Sequence, residues 1–468
     1  MSVIISQNQN PNPWFCTPLS LIDLALRNTY ILYMEEVLIE ESESGNSCTD
    51  EAAPALIAVH PTESSVVVAV GSELRVFDLK GDSAVSPLDE LGGPHHSASI
   101  RAISFSSDGE LFASAGDDKI IKIWKTDSWN CIRTVQSEKK VSAVSISQDS
   151  QYVTFADKFG VVWIVSLKED RDTKAVPILG HYCSIITSMK FSPDGRFIAT
   201  ADRDYKIRIT VFPRNALKGA HEIQSFCLGH TDFVSCLAFV CSQDQSKGFV
   251  LSGGGDLTVR LWDYISGSLL YTCALDDKAG ILEASEIEEN DKRAVTDICA
   301  SSDGSLISVA VQGFNGVMLL SCDLVAKTLS FVKNVSMEKS FIPTSLVLVS
   351  SKERLWTVMG ASNLTSSDLN NNNQRLLTRV RIISFLQKDP LDSCSRDPAL
   401  LEDSQVPGGE KLLMQLQGCL DAAAQEAAFA AAAAAVRTSL QNMMIKKQYS
   451  VERRELRKRN RNDKKIKS

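Results

Sequence analysis

An all-β, seven-bladed propeller, followed by a helical and then disordered basic C-terminal tail, is the fold class this sequence predicts, on three observations. A short motif recurs in which an Asp precedes a Trp with five residues between: Asp118 to Trp124 (DKIIKIW), Asp157 to Trp163 (DKFGVVW) and Asp256 to Trp262 (DLTVRLW). The spacing is regular: Phe77, Trp124, Trp163, Thr210 and Trp262 are separated by 47, 39, 47 and 52 residues. Ahead of most copies, alternating apolar residues run into an Asp-Gly turn, as in Ile103–Gly109, Met189–Gly195 and Ile298–Gly304. Alternation closed by Asp-Gly is hairpin chemistry.

Each repeat has its own quality. The middle copy carries Gly160 at the first apolar position, and a degenerate copy runs from Asp204 to Thr210 (DYKIRIT), with Thr210 where the Trp would stand. Weaker copies are Gly71 to Phe77 and Gly313 to Leu319. The spacing scatters around the roughly 40–45 residues of a four-stranded blade, and Gly180-His181 and Gly229-His230 precede their turn Asp as Gly-His does in WD repeats. Six blades are read directly. A seventh assembles from Ser345–Val349, Leu355–Met359 and Leu377–Phe385, with a fourth strand expected from the N-terminal segment near Tyr30–Ile39. Ring closure of that kind leaves no long free edge. The propeller is accordingly placed over residues 1–388, with Asn370–Asn373 as a polar loop in its last blade. A Pro-, Ser- and Asp-rich linker follows over 389–411, and residues 412–468 form an Ala-rich helix (Leu412–Gln441, including Ala430–Ala435) and a basic tail.

Composition narrows the class further. With 44% hydrophobic and 23% charged residues over 468, the chain has globular composition. The net charge of −8 is unevenly spread: Lys446–Ser468 holds eleven Lys/Arg against three Asp/Glu, a local +8, which leaves −16 for the body. An anionic partner is therefore expected at the tail or at local basic patches. No apolar run approaches the roughly 18 residues of a membrane-spanning helix, and the N-terminus lacks the pattern of a secretory signal. Twelve cysteines, among them Cys16, Cys131, Cys236 and Cys299, include no C-x-x-C pair. They read as free thiols in a reducing, intracellular compartment rather than as zinc ligands or disulfides.

Candidate chemistry is sparse. Ser252, His230 and Asp256 are the residue types of a nucleophilic triad, but with Trp262 they occupy the positions of a structural network in a WD repeat, and no G-x-S-x-G elbow surrounds Ser252. Gly253-Gly254-Gly255 lacks the Lys and Ser/Thr of a phosphate-binding loop and reads as a tight turn; no G-x-G-x-x-G opens a helix. No catalytic residue, metal site or cofactor site is assigned. The charged segment Asp202–Arg208 is different. Arg208 aligns with Lys122 and Arg260 in their repeats and reads as a blade feature, whereas Arg203 and Lys206 fall in or beside a turn, where binding residues tend to project. The tail clusters Arg453-Arg454, Arg457-Lys458-Arg459 and Lys464-Lys465 can serve as a nuclear import signal, a nucleic-acid contact or a solvated end. Import is the preferred reading, so the nucleus is the expected location.

Two blades carry more distinctive sequence. Phe191–Asp204 runs on through Lys206-Ile207-Arg208, then Ile223–Thr231 and Phe233-Val234-Ser235, then Leu251–Asp256 and Leu261–Tyr264. Together these resemble the non-catalytic WD-repeat subunit of the tRNA (guanine-N7)-methyltransferase, closely over about residues 185–270 and more loosely over most of the propeller. The resemblance implies a heterodimer in which a catalytic subunit binds S-adenosylmethionine, while the propeller stabilises that partner and helps position tRNA for methylation of a variable-loop guanine. It also implies that Arg203, Lys206 and Arg208 face the catalytic subunit. Tyr205 departs from the acidic or polar residue expected at that turn position in some relatives. The alternative is a generic WD-repeat scaffold, such as a ubiquitin-ligase substrate receptor.

Overall fold

The structure, a computed structural model, describes residues 53–89, 96–168, 174–181, 184–241, 248–275, 293–338, 340–349, 353–361, 376, 378–385, 398–417 and 433–436. Seven antiparallel four-stranded sheets follow one another: blade 1 over residues 56–85, blade 2 over 100–136, blade 3 over 141–180, blade 4 over 186–228, blade 5 over 234–274, blade 6 over 295–336 and blade 7 over 341–400. Within each blade the strands pair in sequence order. An up-and-down meander puts the turn between its second and third strands on the same face as the linker from the preceding blade. That face, called the upper face below, carries the candidate turn.

The cores lie between blades. Trp262 packs with Phe197, Ala199 and Ile209 of blade 4, whereas its neighbour Leu261 joins Ile298 and Val309 of blade 6. Alternate residues of each strand thus serve opposite neighbours, as the period-2 pleat requires. Among the described residues every inner strand from blade 2 to blade 7 has a register shift in its first half that leaves one residue bulged: Arg101, Ser142, Thr187, Ser235, Thr296 and Thr344. A bulge re-aims its side chain, and here four hydroxyls reach the next blade. Ser142 Oγ donates to Ile186 O at 2.7 Å, Thr187 to Val234 O, Ser235 to Val295 O, and Thr344 to Ala55 O at 2.7 Å.

That last bond helps close the ring. The Trp356 indole N–H also donates to Glu63 Oε1 at 2.8 Å, and the Arg354 guanidinium reaches the same buried carboxylate at 3.4 Å. The fourth strand of blade 7 is Ala399–Leu400, pairing with Ile383 and Ser384. It comes from the segment expected to be linker, and the N-terminal segment proposed for that role, Tyr30–Ile39, lies outside the described residues. A two-residue strand is too short to leave an alternating pattern in sequence.

The helix Gly409–Gln417 covers the seam between blades 7 and 1. Leu412, Leu413 and Leu416 are buried against Val66, Phe77, Trp356 and Val358, each worth about 1.5–3 kcal/mol relative to an exposed side chain. Arg75 Nη1 donates to the carbonyls of Leu416 at 3.3 Å and Gln417 at 2.8 Å, tying the helix to blade 1. The helix therefore begins earlier than the Leu412 expected from propensity. Of the Ala-rich run, residues 433–436 are described as helical, with Val436 against Gly360 and its carbonyl accepting from Gln312 Nε2 at 3.4 Å. The basic tail and Asn370–Asn373 lie outside the described residues.

Candidate partner interface

The upper-face turn of blade 4 grows from the strands Phe197–Asp202 and Lys206–Val211. Asp202 Oδ1 accepts the amides of Asp204 at 2.8 Å and Lys206 at 3.0 Å, which fixes the turn from inside. Tyr205 takes φ +70, as Lys119 (+64) and Leu257 (+52) do at the equivalent positions of blades 2 and 5. The departure at Tyr205 is thus a side-chain change on a turn geometry shared between blades: its ring packs beside Phe233 and Ala294. Lys206 is exposed, Arg203 is half-buried, and the Arg203 Nε lies buried without a hydrogen bond.

Arg208 behaves differently from its two neighbours. It stands opposite Thr200, as Lys122 stands opposite Ser114 and Arg260 opposite Ser252. Its Nε donates to Thr210 Oγ1 at 3.1 Å and its Nη1 to Gly180 O at 3.0 Å, and burial pushes its pKa down. The turn brings Arg203 and Lys206 to the upper face, while Arg208 is held along the blade.

Beneath the turns lie the polar networks. In blade 5, His230 Nδ1 is 2.9 Å from Asp256 Oδ2, His230 Nε2 is 2.6 Å from Ser252 Oγ, and the Trp262 indole N–H donates to Ser252 Oγ at 2.8 Å. The Asp256 carboxylate accepts from His230 Nδ1–H, and the Ser252 oxygen accepts from the indole. Burial alone would raise the Asp256 pKa, but the His230 hydrogen bond and charge, with Thr258 and the Thr231 amide, outweigh it and hold it at about 2. The arrangement copies the order of a nucleophilic triad. Ser252 is fully buried, however, with its oxygen already engaged by the indole, so no substrate carbonyl reaches it.

Gly253-Gly254-Gly255 answers to close packing: a Cβ on Gly254 would stand 2.2 Å from Phe233 O, and one on Gly253 2.5 Å from Val295. Among the described residues, no group of three or more His, Cys, Asp or Glu could hold a metal ion, and no helix is long and apolar enough to cross a membrane.

Sequence spacing misplaces two of these networks and misses a third. His181 bonds Asp202 at 2.8 Å and Thr200 at 2.7 Å, so the network Asp of blade 4 is Asp202, two residues before the motif's Asp204. In blade 3 the strand pairing puts Trp163 opposite Phe155, where blade 2 has Lys122 opposite Ser114; Val165 holds the place of Trp124. The Trp163 indole donates instead to Asp157 at 2.9 Å. An offset of two residues keeps a side chain on the same face of a strand, so alternation cannot reveal it. The missed network is His96 with Asp118 (2.7 Å), Ser114 (2.8 Å) and Trp124 (Ser114 Oγ to indole, 3.0 Å). Its signal was the 22 residues from His96 to Asp118, without the usual preceding Gly. Also unanticipated is an apolar stripe beside the turn: Phe226 (44% exposed) and Leu228 (59%) stand opposite Arg208 and Lys206 on the outer strand Ile223–Leu228.

Comparison with known proteins gives this fold a context. Residues 166–380 match the family model described as the tRNA methyltransferase TRM82 WD40 domain, and residues 87–125 match the WD domain, G-beta repeat. Relatives from several organisms carry the name tRNA (guanine-N(7)-)-methyltransferase non-catalytic subunit. The human protein is 37% identical over 204 residues (44% of this chain, 45% of the relative), and that of Xenopus laevis is 35% identical over 260 (54% and 62%). The Dictyostelium discoideum protein is 30% identical over 248 residues (49% and 50%). The matched stretch thus spans roughly half the length of these relatives. The chain is also similar in fold to the structure of U3-55K and to the RRP9 WD40 repeats, each with TM-score 0.53, at 18% and 17% identity, covering 68% of this chain and 90% and 88% of those chains. The propeller read from the repeats, and the resemblance read from residues 185–270, both hold.

Proposed function

From its resemblance to the non-catalytic WD-repeat subunit of the tRNA (guanine-N7)-methyltransferase, we propose that this chain is the accessory member of a heterodimer. Its partner binds S-adenosylmethionine and methylates N7 of a variable-loop guanine in tRNA. The observation that carries the reading is the blade 4 turn, which presents Arg203 and Lys206 on a backbone pinned from beneath by Asp202. A rigid turn contributes binding energy without first having to be ordered, so cations there suit an acidic segment of a partner. Arg208 supports the surface from within the blade, through Gly180 and Thr210.

The chain's role is to hold a partner and a substrate in register; its Ser-His-Asp constellation is buried structure. The decisive experiment is methyl transfer to unmodified tRNA by the catalytic subunit with and without this chain. Stimulation is expected, with no transfer by this chain alone; absence of both stimulation and co-purification overturns the reading. Arg203→Glu/Lys206→Glu is expected to abolish the shared peak in size-exclusion chromatography while the isolated propeller keeps its melting temperature. Normal assembly of that variant removes the turn from the interface. A nuclear location is supported by the clusters Arg453-Arg454 and Arg457-Lys458-Arg459, and deleting residues 446–468 from a fluorescent fusion is expected to abolish nuclear accumulation.

A further inference from the structure

The bulged position of the inner strands carries Ser or Thr in blades 3 to 7 and Arg101 in blade 2. Where the other blades aim a hydroxyl, blade 2 aims a guanidinium, and its surroundings are built around it. Arg101 Nε and Nη2 donate to Asp117 Oδ2 at 2.9 and 2.7 Å. Lys158 Nζ stands 3.3 Å from Asp117 Oδ1, and Lys140 Nζ stands 4.0 Å from Asp117 Oδ2. Three cations converge on one carboxylate that is only 3% exposed, so the four groups carry a formal charge of +2. Lys139, next in the same loop, lies 4.8 Å over the Phe159 ring.

One repeated place on the upper face differs in charge from blade to blade. Directly after the second strand of blades 2 to 6, one residue bonds its amide to the linker before the inner strand: Asp117 to Ser99, Lys158 to Lys140, Arg203 to Ile185, Gly255 to Phe233 and Gln312 to Ala294. The side chains at this repeated place are charged in blades 2 to 4 and neutral in blades 5 and 6. Lys140 and Lys158 keep 32% and 37% of their side-chain surface exposed, within reach of a ligand. Glu138 is the exposed opposing charge on the same loop. None of the large exposed apolar side chains of the described residues lies in these loops, and the half-buried Phe159 ring lies under Lys139, so charge dominates the surface.

We propose that this cationic patch over blades 2 and 3 contacts the phosphodiester backbone of a bound RNA through Lys140 and Lys158, with Arg101 and Asp117 positioning the two amines. The proposal rests on the accessory-subunit reading for the identity of the RNA, and it concerns blades other than the one assigned to the protein partner. Contacts of this kind are independent of sequence and release counterions, so they leave a measurable salt dependence.

The test uses the full chain co-expressed with the catalytic subunit, an unmodified tRNA transcript, and binding measured by fluorescence anisotropy over a potassium chloride series. Lys140→Gln/Lys158→Gln is expected to co-purify normally, to bind about ten-fold more weakly at low salt, and to flatten the slope of log affinity against log salt by about 2. Lys140→Arg/Lys158→Arg is expected to restore both. Unchanged affinity and slope overturn the proposal. So does a variant that loses the catalytic subunit while the chain's own RNA affinity stays constant, because the patch is then a protein contact. If the double variant melts early, Lys140→Gln alone, at the longer 4.0 Å pair, decides the matter by a slope change of about 1 or none. If the wild-type chain never co-purifies with the catalytic subunit, the accessory-subunit reading fails by itself, and the same titration of the full chain alone still decides the patch.

Discussion

Blades 4 and 5 stand side by side and solve the same structural problem with different residues. In blade 5 the network Asp is at the turn: Asp256 holds His230, the Thr231 amide and the Arg260 guanidinium, so the turn's charges are spent on the blade's own interior. In blade 4 the His ligand has moved back to Asp202, at the end of the strand, and the Trp has become Thr210. Arg208 turns to Gly180 and Thr210 instead of to the network carboxylate. The turn tip, with Arg203 and Lys206, is thereby released from the interior. A repeat can thus lose its motif residues and keep its fold, provided another residue satisfies the buried histidine.

The two blades are expected to differ most at the tryptophan position. Trp262→Ala removes a fully buried indole and is expected to cost about 3–5 kcal/mol in denaturant unfolding, whereas Thr210→Ala at the equivalent place costs about 1–2. Equal losses would mean that blade 4 depends on this position as much as blade 5 does. Next comes the shared hydroxyl. Ser252→Ala strands both the Trp262 indole N–H and His230 Nε2 and is expected to cost about 2 kcal/mol, while Thr200→Ala strands His181 Nε2, gives up a long 3.4 Å bond to Arg208 O and costs about 1.

Acid sharpens the contrast through Asp256. Its folded pKa of about 2 lies below the unfolded carboxylate value, so its contribution is fully present above about pH 4 and is lost as pH falls through 4 toward 2. The amount is on the order of 2 kcal/mol, and an Asp256→Asn variant is expected to show a shallower fall in stability over that window. Blade 3 supplies the reverse case. Asp157, buried without a histidine partner, has its pKa raised by burial against the Trp163 and backbone hydrogen bonds. The smallest expected effect is at the turn itself: Lys206→Glu, exposed, is expected to shift stability by no more than about 0.5 kcal/mol while weakening partner assembly. A large stability loss there would show that the turn is structural after all.

Much of this was written in the chain. The Asp-to-Trp spacing, the Asp-Gly hairpins and Gly-His pairs specify blades of four strands, and they locate Ser252, His230, Asp256 and Trp262 as one network, because each is a local pattern repeated at a fixed period. Arg203 and Lys206 were legible as turn residues for the same reason. Tertiary structure alone decided where a repeat had slipped. Trp163 sits two residues out of place and still faces blade 2, since a strand's side chains return to the same face every second residue. It also decided how the ring closes: by Ala399–Leu400, the helix Gly409–Gln417 and the Trp356–Glu63 bond, contacts that carry no period and in the last case join residues hundreds of positions apart. The convergence of Arg101, Lys140 and Lys158 on Asp117 belongs to the same class. Four residues from two blades become one charged site only when a bulge turns one side chain toward the others, and that geometry depends on how neighbouring blades stack.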